Sequence, residues 1–289
     1  MLKRFMLWVC LLVPMGVQAA VAQDLAVVSQ MRMPVWLERD GLRTPLQPGQ
    51  ALQAGDALLT GSQARVYLQM AEGSTVKLGA DAHFRVAALE ARGDELSAAL
   101  EVARGAFRFT TAAIDKVLRK RDVRIRVAAL TAGIRGTDIW GRSDDAADFV
   151  CLLEGRIGVS HADGTVASMN EPLTFFRAPR GSGPEPIQAV APEQVQTWAE
   201  ETEIAEHSGA AATGGRWRLV LGSFRREAGA ATLLRQARDG GYAASVRPRP
   251  VAPGVMYQVV IAGFASRDDA RAAALSVERD VGVKPLVTR

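Results

Sequence analysis

The sequence predicts a molecule in two parts: an all-β N-terminal domain, built as a sandwich or a solenoid-like roll, and a smaller α+β module behind it. Three observations carry this reading. Between about residues 27 and 159, apolar side chains recur at every second position in short runs broken by glycine turns, which is the period of half-buried strands. Beyond residue 216 the pattern becomes strands alternating with helical stretches, in the order β-α-β-β-α-β. The length, 289 residues, fits two modules at roughly 100–200 residues per domain. A chain that is 48% hydrophobic with a formal charge of +4 can bury enough surface to fold, which excludes wholesale disorder. Its 27 glycines and 13 prolines exclude a purely helical protein.

Residues 1–22 have the form of an export signal. Lys3 and Arg4 precede an apolar stretch from Phe5 to Val17, and Ala20-Val21-Ala22 supplies a small-x-small cleavage site. The stretch is shorter than the roughly 20 residues a bilayer-crossing helix needs. The mature chain is therefore expected in the periplasm, with no transmembrane anchor. Cleavage removes Cys10 and leaves Cys151, in the apolar run 149–153, as a lone thiol that reads as a small buried hydrophobe.

The β domain is expected over residues 23–180. Val66, Leu68 and Met70 point one way and Arg65, Tyr67 and Gln69 the other, and Glu72-Gly73 turns the chain into Val76-Lys77-Leu78. The same alternation returns in Phe84-Arg85-Val86, in Phe107-Arg108-Phe109, and in Val123, Ile125 and Val127. Gly55-Asp56-Ala57-Leu58-Leu59-Thr60-Gly61 with the strands that follow it resembles the opening of a FecR domain. Gly133-Ile134-Arg135-Gly136-Thr137-Asp138 with 152–159 resembles its second half, so the likeness covers about residues 48–160. It implies a periplasmic sensing or scaffold module of the kind best known from sigma-factor regulation. The cytoplasmic helical region and membrane span that such signalling uses are not found in this sequence. Gly136 suits a tight turn, with Thr137 and Asp138 expected to hydrogen-bond the backbone there. Lys116, Arg119, Lys120, Arg121, Arg124 and Arg126 concentrate positive charge on one hairpin-like segment, either a solvated strand face or a surface for an anionic polymer or lipid headgroups.

Residues 181–214 read as a linker. Arg180 to Pro186 is loop-like, 209–215 (Gly-Ala-Ala-Ala-Thr-Gly-Gly) reads as a flexible joint, and Pro192 to His207 is acidic and helix-compatible, with Val195, Trp198 and Ala199 on one side. A solvated spacer is the commoner arrangement for such a segment, and a docking helix the alternative. Charge changes at the same place: residues 23–214 carry 20 basic and 25 acidic side chains, and residues 215–289 carry 13 and 6.

The tail, 215–289, starts with a strand from Trp217 to Phe224, then a helical pattern through Ala231, Leu234 and Ala237, then a strand from Tyr242 to Arg247. A strand from Met256 to Phe264 follows, a helix capped by Ser266 through Ala270, Ala274 and Val277, and a last strand at Leu286-Val287. That order folds most simply as a four-stranded antiparallel sheet with both helices on one face, the ferredoxin-like arrangement. Gly222-Ser223-Phe224, Gly241-Tyr242, 257–261 (Tyr-Gln-Val-Val-Ile) and Phe264-Ala265-Ser266 with Ala270 resemble a SPOR domain over residues 216–289. The resemblance implies binding to peptidoglycan glycan strands that lack stem peptides, as generated at the division septum, and no catalysis.

The period of two puts Leu219, Leu221, Tyr257, Val259 and Ile261 towards the helices, and Arg218, Val220, Met256 and Gln258 outwards. With Ser223, Arg247 and Val287, and with Arg249 at the border, these outward residues form the expected glycan-binding set. Val220 stands where many members of the family present Gln, Met256 where an aromatic is frequent, and Gln258 where Arg is common.

An enzyme is not expected. His83, His161 and His207 are far apart and fit no ligand spacing, so no catalytic residue, metal or other cofactor is assigned. Asp144, Asp145 and Asp148 read as a solvated acidic loop. Nucleic acid is disfavoured by the export signal and by the lack of aromatic residues at outward strand positions. The expected function is a non-enzymatic periplasmic binder of septal glycan that positions the β domain, with envelope or divisome proteins as its partners. A FecR-type regulator and a targeting subunit for a peptidoglycan enzyme are the alternatives.

Overall fold

The computed structural model describes residues 24–111, 120–134 and 136–289. Residues 1–22, read above as an export signal, and Lys116, Arg119 and Arg135 lie outside the described residues. The β domain is two packed sheets. The first runs, in order of pairing, through Thr174–Pro179, Ala147–Glu154, Asp138–Ser143, the end of Glu95–Thr110, Thr75–Leu78, Arg65–Met70 and Ala26–Arg32. The second runs through Leu42–Pro45, Val35–Arg39, Ala57–Thr60, His83–Arg92, the start of Glu95–Thr110, Lys120–Val127, Leu130–Ile134 and Ile157–His161. All these pairs are antiparallel except Glu95–Thr110 with Lys120–Val127, which is parallel.

The 16-residue strand Glu95–Thr110 belongs to both sheets and changes partners at Gly105. Glycine is required there: φ is +88°, and a Cβ would lie 2.5 Å from Ala82 Cα. Alternate residues of both sheets, among them Val28, Leu68, Phe107 and Ile139 from one and Leu37, Phe84, Leu100 and Ile125 from the other, fill one apolar core. Of the two expected architectures, the sandwich is therefore the one observed.

The tail is a four-stranded antiparallel sheet in the order Leu286–Thr288, Trp217–Phe224, Val255–Phe264, Ala244–Pro250. Helices Glu227–Asp239 and Arg267–Val281 cover one face, over Leu219, Leu221, Val259 and Ile261. Ser266 caps the second helix by accepting from Asp269 N at 3.0 Å. The buried stripes are Ala230, Leu233 and Ala237, and Ala270, Ala273 and Val277. Ala231, Leu234 and Ala274, expected within the apolar stripes, are half-buried at their margins.

The joint expected to be flexible is a strand. Ala210–Ala212 pairs with Ala26–Arg32 of the β domain and, through Ala211 and Phe264, with the tail, so hydrogen-bonded sheet continues from one part into the other. Ala210 and Ala211 are buried; small side chains that read as flexibility are what a tightly packed junction admits. Further bonds cross it: Val35 N donates to Gly241 O (3.1 Å) and Trp36 Nε1 to Asp239 O (3.2 Å). Gly241, at φ +77°, lies against the Trp36 ring, and a Cβ would come within 2.6 Å of it. One continuous apolar core includes residues of both parts.

The acidic segment is also docked rather than solvated. In the helix Pro192–Glu200, Trp198 stacks on Trp140 (centroids 4.9 Å apart, planes 4° apart) and meets Phe149 and Phe175, which project from the outer face of the first sheet. Beyond it, Glu201 accepts from Arg142 (3.0 Å) and Glu203 from Lys77 (2.6 Å) and Tyr67 Oη (2.7 Å). The apolar side read at Val195 and Trp198 needed an aromatic patch to land on, and only the assembled sheet creates one.

Candidate functional site

The helix-free face of the tail sheet is built by strand register. Residues directly opposite in an antiparallel pair share a face, so the pairing aligns Arg247, Gln258 and Ser223 in one row, and Ser245, Val260, Val220 and Leu286 in the next. Arg249 with Met256 extends the face at one end, and Ala262 with Arg218 and Thr288 at the other. A bulge between Val220 and Gly222 is decisive. Strict alternation from Arg218 and Val220 would turn Ser223 inwards; the extra residue restores it to the open face, where its Oγ accepts from Gln258 Nε2 at 3.2 Å.

Six of the seven residues expected on this surface thus come together. Val287 does not: it pairs with Leu219 and packs against the core on the helix side, while its neighbours Leu286 and Thr288 take the open face. Ser245, Val260, Leu286 and Thr288 also belong to the face and were not expected there, because the neighbours and register of each strand are tertiary information. No outward position of these strands is acidic, and Arg218, Arg247 and Arg249 make no ion pair among the described residues. The face is therefore cationic, with one amide–hydroxyl pair and apolar surface at Val220, Met256 and Leu286; Val260, which shares their face by register, is itself buried.

Other candidate groups have structural partners. Asp56 is buried and takes a two-pronged bond from Arg39 (2.7 and 2.6 Å). Asp138, expected to bond the backbone at the Gly136 turn, is held instead by Arg108 at 3.0 and 2.7 Å, which raises the Arg108 pKa. Within the loop read as solvated, Asp148 is buried, accepting from Ala129 N (3.0 Å) and pairing with Arg180 (2.7 Å). The Asp144 carboxyl is partly desolvated, yet bonds from Ala147 N and Ala146 N and the nearby Arg142 and Arg180 lower its pKa. In the basic segment, Lys120, Arg124 and Arg126 meet Asp94, Asp122 and Glu101, so its described part is a paired strand face. Cys151 is fully buried beside Trp140; burial and then Asp138 push its thiol up to about 12. Among the described residues no cluster of His, Cys, Asp or Glu could hold a metal ion.

Residues 213–289 match the family model for the SPOR domain, and residues 56–158 match that for the FecR protein. The chain carries a FecR region followed by a SPOR domain. SPOR domains bind peptidoglycan, and neither family is catalytic. The open face described above is that of the SPOR domain, and the outer surface strapped by Trp198 is largely that of the FecR region. Among solved structures, two crystal structures of a candidate anti-sigma factor from Parabacteroides distasonis are similar, each at 13% identity and a TM-score of 0.40. The alignments cover 78% of this chain and 92% and 91% of those chains. No curated protein sequence gave a match. Among the described residues, no helix is long and apolar enough to cross a membrane.

Proposed function

We propose that the SPOR domain binds peptidoglycan glycan strands across its open sheet face, in the periplasm, and that strands without stem peptides are preferred. The observation that carries this is a SPOR match coinciding with a helix-free face on which Arg218, Arg247 and Arg249 pair with no carboxylate among the described residues. A glycan strand is extended and rich in hydroxyl and acetamido groups. Guanidinium donors and the Gln258–Ser223 pair suit those groups, and the apolar surface at Val220, Met256 and Leu286 suits the apolar faces of sugar rings. Removing a stem peptide exposes a lactyl carboxylate on the sugar itself, a negative charge placed directly on the glycan where the arginines of this face can meet it.

The FecR region, exported with the domain and docked against it, is then brought to the division septum as a scaffold or sensing surface for envelope or divisome proteins. The purified protein should pellet with isolated sacculi, more so after amidase treatment, and the complex should weaken with salt. Absence of pelleting from both preparations would sink the proposal. An exported fluorescent fusion should collect at the septum rather than spread around the periphery. The FecR match favours regulation as a second reading of that region; a septal protein whose deletion alters transcription of an envelope regulon would support it.

A further inference from the structure

A second site lies at the junction of the two parts, away from the open face. A groove of about 910 Å³ is lined by Trp36, Arg43, Gln47 and Gln50 from the β domain and by Arg235 and Arg238 from the first tail helix. This volume is that of small-molecule sites.

Its charge is unbalanced. Arg43 and Arg235 make no ion pair among the described residues, and Arg238 spends only its Nε, on Ala244 O at 3.0 Å. Asp239 is the one acidic residue in the lining, so three guanidiniums face one carboxylate. The site is also organised in advance. The Trp36 ring is fixed by its bond to Asp239 O and by contact with Gly241, and the Arg43 guanidinium lies over that ring, 4.5 Å from its centroid. Stacking leaves the edge of the guanidinium, where its donors are, open to a planar or tetrahedral anion. Gln50 Oε1 accepts from Gln47 N (3.1 Å), which orients its amide and leaves the nitrogen to donate elsewhere.

We propose that this groove binds an anionic saccharide: the arginines take a carboxylate or phosphate, and the glutamine amides take ring hydroxyls. Because both parts of the molecule contribute to the lining, the ligand also clamps the docked arrangement. The inference does not depend on glycan binding by the open face.

Calorimetric titration and thermal shift of the whole protein test it, with glucose 6-phosphate and glucuronic acid as probes and glucose and inorganic phosphate as controls. At least one anionic sugar should bind and raise the melting temperature, glucose should not, and phosphate should bind far more weakly. Arg43→Gln and Arg235→Gln should each weaken the sugar by about tenfold, the size of one lost charge-assisted hydrogen bond, and leave sacculus pelleting unchanged. Wild-type protein that binds neither anionic sugar, or binds glucose or phosphate equally well, would overturn the proposal, as would full affinity in both variants.

Discussion

Arg180 reaches across from the end of its strand to a carboxylate, Asp148, that is 1% exposed. A buried carboxylate stripped of its cation retains its desolvation cost, so Arg180→Ala should destabilise the protein by about 1–3 kcal/mol. Chemical denaturation would measure this, and Asp148→Asn with Arg180 intact gives the comparison. Cys151 behaves as the small hydrophobe expected. With its thiol pushed up to about 12 and no surface exposed, it should react with a thiol reagent at pH 8 only after denaturant is added. On the open face, Gln258→Ala and Arg247→Ala remove surface groups with few packing duties. Each should lower sacculus affinity by about 1 kcal/mol, roughly a fivefold loss, without moving the melting temperature; wild-type pelleting by both would take these residues out of the site.

At the scale of elements, the strap formed by the helix Pro192–Glu200 and the residues behind it rests on one aromatic stack and a group of ion pairs. Trp198→Ala should cost about 1–3 kcal/mol, below the roughly 3–5 kcal/mol of a fully buried aromatic because Trp198 is only partly covered. Faster proteolysis within residues 181–209 would report the loosened strap. The strap also responds to acid. Partial burial opposes ionisation of Glu203, but Lys77, Tyr67 and Arg108 outweigh it and depress its pKa below the usual 4.5. A depressed carboxylate stabilises the fold above its unfolded pKa and ceases to as pH falls through the folded one. Glu201, raised chiefly by burial, shifts the other way and offsets part of this. Cleavage of the strap should therefore accelerate below about pH 4.5, and Glu203→Gln should flatten the profile. Strands and helices such as Arg65–Met70 and Arg267–Val281 were legible because their periodicity is local. The strap and the Ala210–Ala212 strand were not, since Trp198 needs Trp140, and Ala211 needs Met31 and Phe264, residues distant in sequence. For the same reason Ser223 and Arg247 were placed on the open face while Val287 was misassigned: a bulge and a register decide them.

At the scale of the molecule, one apolar core includes residues of both the β domain and the tail, and Val35, Trp36 and Ala211 bind across the boundary. The two should unfold together, as one calorimetric transition; two well-separated transitions would show the junction to be weak. The formal charge of +4 divides along the same boundary, with most of the positive excess in the SPOR domain. The Ala210–Ala212 ladder sets the load path between the two parts. If the SPOR domain holds a glycan strand as proposed, tension on that strand would pass through the backbone hydrogen bonds of this ladder into Ala26–Arg32, and the β domain would feel it mechanically.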